Sequence, residues 1–236
     1  PSERNDILAK RFGVPVEGAS YFFKYEDTIP HKPQNFDGMI CALGADLSQG
    51  DDFCAFTLIF PLGNGFFGVK TRSYVSELKV KKLDVAMRQK YKEFIDEGTL
   101  VVMDGAYLDM KLVYRDLDDH LMEHQYTVIS LGYDPYNSKE FIDSWVSEHG
   151  DYGVTKVIQG ARTESVPLGE IGNMASERLL IFDELLMKFV MGNAIALKDT
   201  NGNMKLSKMR DKEKIDNVAA LLNAWVAYKR FQEAFE

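Results

Sequence analysis

Residues 39–48 read Met39-Ile40-Cys41-Ala42-Leu43-Gly44-Ala45-Asp46-Leu47-Ser48, an apolar run that ends beside a carboxylate. An unbroken apolar stretch of this length indicates a buried strand. A side chain at the carboxyl end of such a strand can project into the crevice at the edge of a sheet. Asp46 is therefore the first candidate functional residue.

The pattern on either side of this strand predicts an α/β fold. Phe53–Phe60 and Phe66–Val75 are apolar and β-branched runs separated by turn chemistry, so the three strands should form an antiparallel meander. Further strands are predicted at 100–103, 126–133, 155–158, 194–197 and 204–206, and helices at 82–96, 109–124, 138–149, 167–190 and 212–235. Gly169 and Gly172 are candidate break points within the 167–190 helix. Strands that alternate with helices after a meander predict a mixed sheet with helices on both faces.

Two more aspartates occupy comparable places. Asp134 follows the apolar run Tyr126–Leu131, and Pro135 prevents that strand from continuing. Asp216 lies in the first turn of the last helix, where the helix dipole stabilises a carboxylate. Each aspartate alone is typical of a turn or a cap. Two strand ends and a helix start can nevertheless meet at one point, and three converging carboxylates suit a pair of hard divalent cations able to cleave a phosphodiester.

Composition limits the classes of function. The chain has 236 residues, 45% of them hydrophobic, and a formal net charge of −8. That charge argues against tight, general nucleic-acid binding by this chain alone. No apolar run approaches the roughly 18 residues of a membrane span, and no signal peptide opens the chain. We therefore expect the protein to be located in the soluble interior of a cell. Cys41 and Cys54 lie in strand-like runs and are expected to be buried thiols.

Basic residues form two local clusters. The first comprises Lys79, Lys81, Lys82, Arg88, Lys90 and Lys92, and the second comprises Lys205, Lys208, Arg210, Lys212 and Lys214. Solvated helix and loop faces are the simplest interpretation of both. The second cluster leads directly into Asp216, which favours a DNA-backbone contact there.

Three segments together resemble a known family. They are Ala45-Asp46-Leu47-Ser48 with Asp52 downstream, Tyr133-Asp134-Pro135-Tyr136-Asn137, and Lys214-Ile215-Asp216 followed by Val218-Ala219-Ala220-Leu221. They look like the three acidic motifs of the nuclease domain of the large terminase subunit of tailed bacteriophages. Gly192-Asn193, Asp199 and Gly202-Asn203 resemble the stretch before the third motif. The resemblance covers residue 36 to the end. The family often has Trp where this chain has Tyr136, and Gly where it has Asn217. The segment 162–190 matches poorly.

The resemblance implies a ribonuclease H-like fold and cleavage of double-stranded phage DNA concatemers during packaging. It implies two Mg²⁺ or Mn²⁺ ions held by Asp46, Asp134 and Asp216, with Asp46 expected to bridge both. Asp52 either assists the metals or forms a turn. The implied partners are DNA, the terminase ATPase domain, the small terminase subunit and the portal, in the host cytoplasm. Residues 1–35 are expected to be an N-terminal extension or linker remnant, and 36–236 the nuclease domain.

Other motifs give weaker signals. Gly63 to Thr71 has the letters of a phosphate loop except for an extra Val69, but it joins two strands rather than opening a helix, so we reject an ATPase site. His120-Leu121-Met122-Glu123-His124 matches the inverted zinc-protease pattern on a predicted helix. Nothing else in the sequence marks a third zinc ligand, so we interpret these as surface residues.

Two rival functions stay open at this point. A resolvase, transposase or ribonuclease H would share the acidic triad on the same fold. Such an enzyme would prefer junctions or RNA hybrids to plain duplex DNA. A non-enzymatic DNA-packaging interaction module would use the aspartates only as caps, and it would bind no metal.

Overall fold

A mixed sheet with helices on both faces forms the body of the protein. The computed structural model describes residues 20–47, 52–210 and 213–236. The strands in this part of the chain are β1 (Ser20–Tyr21), β2 (Ile40–Leu47), β3 (Cys54–Gly63), β4 (Phe66–Ser76), β5 (Leu100–Met103), β6 (Thr127–Tyr133), β7 (Val154–Lys156), β8 (Leu180–Ile181), β9 (Ala194–Lys198) and β10 (Met204–Lys208).

The main sheet has the order β5-β4-β3-β2-β6-β7, with β8 paired to β4. β2, β3 and β4 run antiparallel to their neighbours within the meander. β6 lies parallel to β2, β7 lies parallel to β6, and both β5 and β8 lie parallel to β4. The predicted meander followed by parallel strands is confirmed. A second small antiparallel sheet has the order β1-β9-β10.

Seven α-helices are present in the described residues: α1 (Glu77–Lys82), α2 (Val85–Glu97), α3 (Met110–Glu123), α4 (Lys139–His149), α5 (Ala161–Ser176), α6 (Leu185–Asn193) and α7 (Asp216–Arg230). Local chemistry explains several boundaries. The carboxylates of Asp84 and Asp109 accept hydrogen bonds from the first-turn amides of α2 and α3. Gly98 ends α2 in the left-handed conformation, with φ 83°.

Two of the predicted helices have different limits. The helix expected over 167–190 is wrong as one element, and neither candidate break point ends it: α5 continues through both Gly169 and Gly172, and the chain leaves the helix only after Ser176. Residues 180–181 then form β8 on β4, and Phe182 is buried in the core. The closing helix begins at Asp216 rather than near 212, and it gives way to a 3-10 turn at Gln232–Phe235.

Each face of the main sheet carries its own apolar layer. Helices α2, α5, α6 and α7 pack on one face, and α3 and α4 pack on the other. Cys41 and Cys54 are buried free thiols in the sheet, as predicted. No helix in the described ranges is both long and apolar enough to cross a membrane.

The described residues before β2, from residue 20 onward, contact this body. β1 pairs with β9, and the side chains of Tyr21 and Phe23 are buried. The amide of His31 donates a 2.6 Å hydrogen bond to the carbonyl of Phe182. The division of the chain at residue 36 stays a prediction.

Candidate metal centre

Two facing glycines allow helix α7 to lie directly on the sheet. Gly44 on β2 is the register partner of Gly132 on β6. A Cβ atom at Gly44 would stand 1.8 Å from the carbonyl oxygen of Ala220, and one at Gly132 would stand 1.9 Å from that of Asn223. Only glycine fits these two positions without moving the helix. Each glycine precedes a candidate aspartate by two residues.

Two buried asparagines fix the helix in this place. Asn217 donates to the carbonyl of Phe56 at 3.1 Å, while its own side-chain oxygen accepts from the Ser73 hydroxyl at 3.0 Å. Asn223 donates to the carbonyl of Ala45 at 2.8 Å. Because buried polar groups are costly when left unpaired, these bonds specify one position of α7 over the strands.

The three predicted aspartates line one cleft of 330 Å³. Side chains alternate along a strand, so Asp46 points to the same face as Gly44, towards α7. Asp134 lies immediately after the neighbouring strand β6, and Asp216 is the first residue of α7. Asp134 forms a tight turn in which Oδ1 accepts from the amide of Tyr136 at 2.9 Å, which leaves Oδ2 available. Sequence reasoning therefore placed these residues together correctly, while their metal-binding and catalytic roles stay predictions.

Burial and mutual repulsion perturb two of these carboxylates. Burial raises the pKa of Asp46 well above its ordinary value, and the negative charges of Asp216 and Asp134 add to that rise. Burial raises the pKa of Asp216 to about 6, and the charge of Asp52 acts in the same direction. The ionised forms of these two carboxylates are therefore unfavourable in the cleft unless a cation is also present there.

Asp52 lies at the side of the cleft and binds two lysines. Its carboxylate accepts from Lys208 Nζ at 2.9 and 3.0 Å and from Lys214 Nζ at 2.8 Å. Burial opposes ionisation of Asp52, but the two lysines together lower its pKa, so it stays charged. This ion-paired arrangement places Asp52 next to the three aspartates without making it a fourth free carboxylate.

The predicted basic cluster is divided by the structure. Lys208 lines the cleft, and Lys214 contacts its wall through Asp52. Lys205 is exposed on β10, where strand alternation turns it to the opposite face of the hairpin from Lys208. Arg210 is exposed, and Lys212 lies outside the described residues. DNA contact by these residues stays a prediction.

Sequence reasoning missed Glu164, a buried carboxylate of α5 that also lines the cleft. It accepts from the amide of Gly160 at 2.8 Å and from the amide of Leu206 at 2.9 Å. Glu164 thereby connects the start of α5 to strand β10. The only sequence signal was a carboxylate in the first turn of a helix, which is common in helices that lack any such role.

A larger depression of 750 Å³ adjoins the cleft between α3 and α4. Its lining mixes both signs of charge, including Lys111, Arg115, Asp143 and Glu148. The three aspartates do not line it, so the smaller cleft is the better candidate for chemistry.

The acidic cleft fits hard divalent cations. Its converging ligands are carboxylate oxygens, the donor type that Mg²⁺ and Mn²⁺ prefer. Oδ2 of Asp216 is buried and lacks a hydrogen-bond partner within the described part of the chain. A buried oxygen without a partner is costly, and a bound cation would satisfy it. Asp46, Asp134 and Asp216 are the residues that could hold such ions.

The order of the sheet, with an acidic cleft at the ends of two adjacent parallel strands, defines a ribonuclease H-like fold. The chain belongs to the family described as "Terminase large subunit, endonuclease domain", which it matches over residues 2–232. The terminase large subunit of Lactococcus phage p2 is 23% identical over 230 residues, covering 95% of this chain and 42% of that protein. The chain therefore spans about two fifths of the length of the curated relatives it matches.

Solved structures agree on the fold. The large terminase of bacteriophage HK97 superposes with a TM-score of 0.77 at 19% identity, covering 89% of this chain and 44% of that one. The large terminase nuclease of thermophilic phage G20c, solved with bound magnesium, gives a TM-score of 0.55 at 12% identity, covering 90% and 98%. At these identities the likeness establishes the fold alone.

Proposed function

We propose that this chain is a divalent-metal-dependent endodeoxyribonuclease that cleaves double-stranded DNA. The observation that carries the proposal is the convergence of Asp46, Asp134 and Asp216 in one cleft, where a buried oxygen of Asp216 has no hydrogen-bond partner among the described residues. Membership of the terminase endonuclease family supports it. The similar G20c nuclease binds magnesium and, in another crystal, cobalt, which supports a divalent cation here.

The residues of the cleft have separable tasks in this mechanism. Asp46, Asp134 and Asp216 are the residues that would hold two Mg²⁺ or Mn²⁺ ions. The chemistry that such ions would supply, when bound, is activation of a water for attack on the phosphodiester and stabilisation of the leaving 3′-oxygen. Bound cations would favour the ionised forms of Asp46 and Asp216, because the added positive charge would offset the burial and repulsion that raise the pKa of both groups.

The substrate is read through its backbone. Lys208 lies at the cleft, and its ammonium group is hydrogen-bonded to Asp52. From this position it can approach a phosphate without contacting a base. We propose low sequence specificity and a binding affinity that falls steeply with salt. The net charge of −8 keeps that affinity weak for the isolated chain.

The biological role we propose is cleavage of phage DNA concatemers during genome packaging, in the host cytoplasm. The partners would be the terminase ATPase domain, the small terminase subunit and the portal. We also propose that residues 36–236 are the nuclease domain and that 1–35 are an extension or linker segment. Family membership supports these proposals, since the relatives matched are terminase large subunits.

Cleavage of supercoiled plasmid tests the enzymatic proposal. The chain should nick and linearise plasmid with Mg²⁺ or Mn²⁺ and should be inactive in EDTA. Asp46→Asn should lower the rate by at least ~100-fold while the fold is kept, as expected when a metal ligand at the reacting centre is lost. Asp96→Asn is the matched control, since Asp96 lies on α2 and forms an exposed ion pair with Lys92.

Wild-type rates in Asp46→Asn would contradict the assignment. A strong preference for RNA–DNA hybrids or branched junctions over plain duplex would instead support the rival enzymes of the same fold.

A further inference from the structure

A second group of metal-ligand residues lies at the other end of the molecule. His120, Glu123 and His124 each present one ligand atom, and these atoms lie within 4.8 Å of one another. The spacing i, i+3, i+4 places all three side chains on one face of the last turn of α3. Both histidines are partly buried and Glu123 is exposed, so the earlier interpretation as plain surface residues holds only in part.

The rings of the two histidines are held before any ion binds. His124 stacks on Tyr126, with centroids 5.1 Å apart and planes at 15°. His120 meets His124 edge-on at 4.5 Å between centroids. A ligand set fixed by packing loses little conformational entropy when it binds an ion.

A carboxylate orients one of these histidines from behind. Nδ1 of His124 lies 2.8 Å from Oδ1 of Asp37. An ionised carboxylate can only accept, so Nδ1 carries the proton and Nε2 keeps its lone pair. This carboxylate–histidine arrangement is the one that commonly supports metal-bound histidines.

We propose that His120, Glu123 and His124 form a second metal site, selective for a transition-metal ion such as Zn²⁺ and oriented by Asp37. Two imidazoles and one carboxylate are the ligands that zinc accepts, while Mg²⁺ prefers an all-oxygen set. Three protein ligands on one helical turn leave room for a water in the fourth position.

The site is separate from the acidic cleft. The amide of Gly38 donates to the carbonyl of His124 at 2.9 Å, which places the site at the start of β2. Asp46 lies at the far end of that strand, roughly 25 Å away at about 3.3 Å per residue. The proposal therefore does not depend on the proposed nuclease activity.

The ligand set points to a stabilising site rather than to zinc-dependent hydrolysis. A hydrolase of the inverted zinc-protease pattern keeps the glutamate as a general base and takes its third ligand from elsewhere. In this protein Glu123 itself completes the set. The ion would instead fix the end of α3 and, through Asp37, the segment that leads into β2.

Metal titration of the full chain tests the site. Excess Mg²⁺ is added first to fill the acidic cleft, and Zn²⁺ binding is then measured by calorimetry. Cu²⁺ serves as a spectroscopic probe, because imidazole nitrogens produce hyperfine structure in its electron paramagnetic resonance spectrum that an oxygen-only site lacks. We expect one equivalent to bind with a nitrogen signature.

The variants distinguish the proposed ligands from other histidines. His124→Gln and Glu123→Gln should each weaken Zn²⁺ binding at least tenfold, and Asp37→Asn should weaken it by 10- to 100-fold, as for other orienting partners. His149→Gln is the matched control, since His149 ends a helix and contacts Asp118 at 2.8 Å but belongs to no such cluster within the ranges that the structure describes. Its affinity should be unchanged.

Absence of Zn²⁺ binding in the wild type, or a Cu²⁺ spectrum without nitrogen structure, would overturn the proposal. Unchanged affinity in Glu123→Gln would also overturn it. Glu123 is exposed, so this variant should fold even if a histidine substitution does not.

Discussion

Asp216 combines burial with a nearby negative charge, and its pKa of about 6 makes the metal-free protein sensitive to pH. An aspartate in an unfolded chain titrates near 3.9, so between pH 4 and 6 the folded protein binds a proton that the unfolded chain has released. The contribution of Asp216 to the free energy of unfolding should therefore be highest below pH 4, and it should fall as pH rises to 6.

Urea unfolding in EDTA at pH 4.5 and pH 7 measures this effect. Between pH 4.5 and pH 7 the free energy of unfolding of the wild type should fall by about 2 kcal/mol more than that of Asp216→Asn, since one pKa unit corresponds to ~1.4 kcal/mol. Parallel pH dependence of the two proteins would show that Asp216 is not the group responsible.

Asp52 should matter for metal affinity more than for the chemical step. Its carboxylate forms ion pairs with Lys208 and Lys214, whose ammonium groups would otherwise compete with cations for the three aspartates. Asp52→Asn should raise the Mg²⁺ concentration needed for half-maximal cleavage by roughly tenfold, within the range for outer-shell partners. The rate at saturating Mg²⁺ should change little.

A large loss of rate for Asp52→Asn at saturating Mg²⁺ would mean that Asp52 is itself a metal ligand. Asp96→Asn again serves as the control.

At the residue scale, the sequence revealed those groups whose position follows from local rules. Asp46 and Asp134 follow apolar strands and Asp216 opens a helix, which is enough to predict their meeting. The pairing of Asp52 with Lys208 joins residues 156 apart in sequence, and that of Glu164 with Leu206 joins residues 42 apart. No local pattern specifies such partners, because they depend on how whole elements pack.

At the scale of elements, the contact of α7 with β2 and β6 sets the geometry of the cleft. Gly44→Ala would place a Cβ against the backbone of Ala220, which a side-chain rotation cannot relieve. We expect a loss of stability of at least the ~1–3 kcal/mol typical of overpacked cores. Cleavage should fall as well, because Asp216 moves with the helix.

Gly192→Ala is the matched control for thermal melting. Gly192 lies in α6 with nothing within 4 Å of the added Cβ, so this change should be neutral or slightly stabilising. Equal melting temperatures for Gly44→Ala and wild type would contradict the close approach of α7 to β2.

Elements with strong local signals were predictable and those created by tertiary pairing were not. The dipeptide Asn201-Gly202 is a local signal for a hairpin, and the structure has it in the turn between the paired strands β9 and β10, with Gly202 at φ 81°. The two-residue strand β8 exists only because it pairs with the edge of β4. Its apolar residues fit a helical period equally well, which explains the wrong prediction of one helix over 167–190.

At the scale of the whole molecule, the main sheet brings an oxygen-ligand cleft to the carboxyl ends of β2 and β6. The mixed topology was predictable because a meander followed by alternating strands and helices allows few arrangements. The close packing of α7 was not predicted, although Gly44 and Gly132 stood at matching places before their aspartates. Glycine in a strand indicates that another part of the backbone or a ligand lies close to it, but it does not identify which element that is.

Three carboxylates, one of them buried and two partly buried, share one cleft and oppose one another until cations bind. Thermal melting of the wild type and of the Asp46→Asn, Asp134→Asn, Asp216→Asn triple variant, each in EDTA and in Mg²⁺, tests this repulsion most directly. Mg²⁺ at a hundredfold excess over its dissociation constant should stabilise the wild type by ~2.7 kcal/mol, which corresponds to roughly 5–10 °C for a chain of this size. Mg²⁺ is used because the histidine cluster should not bind it.

In EDTA the triple variant should melt at a higher temperature than the wild type, because the mutual repulsion of Asp46, Asp134 and Asp216 is removed, and Mg²⁺ should leave that temperature unchanged. A triple variant that melts below the wild type and still responds to Mg²⁺ would contradict the account, since the aspartates would then be structural caps and the cations would bind elsewhere.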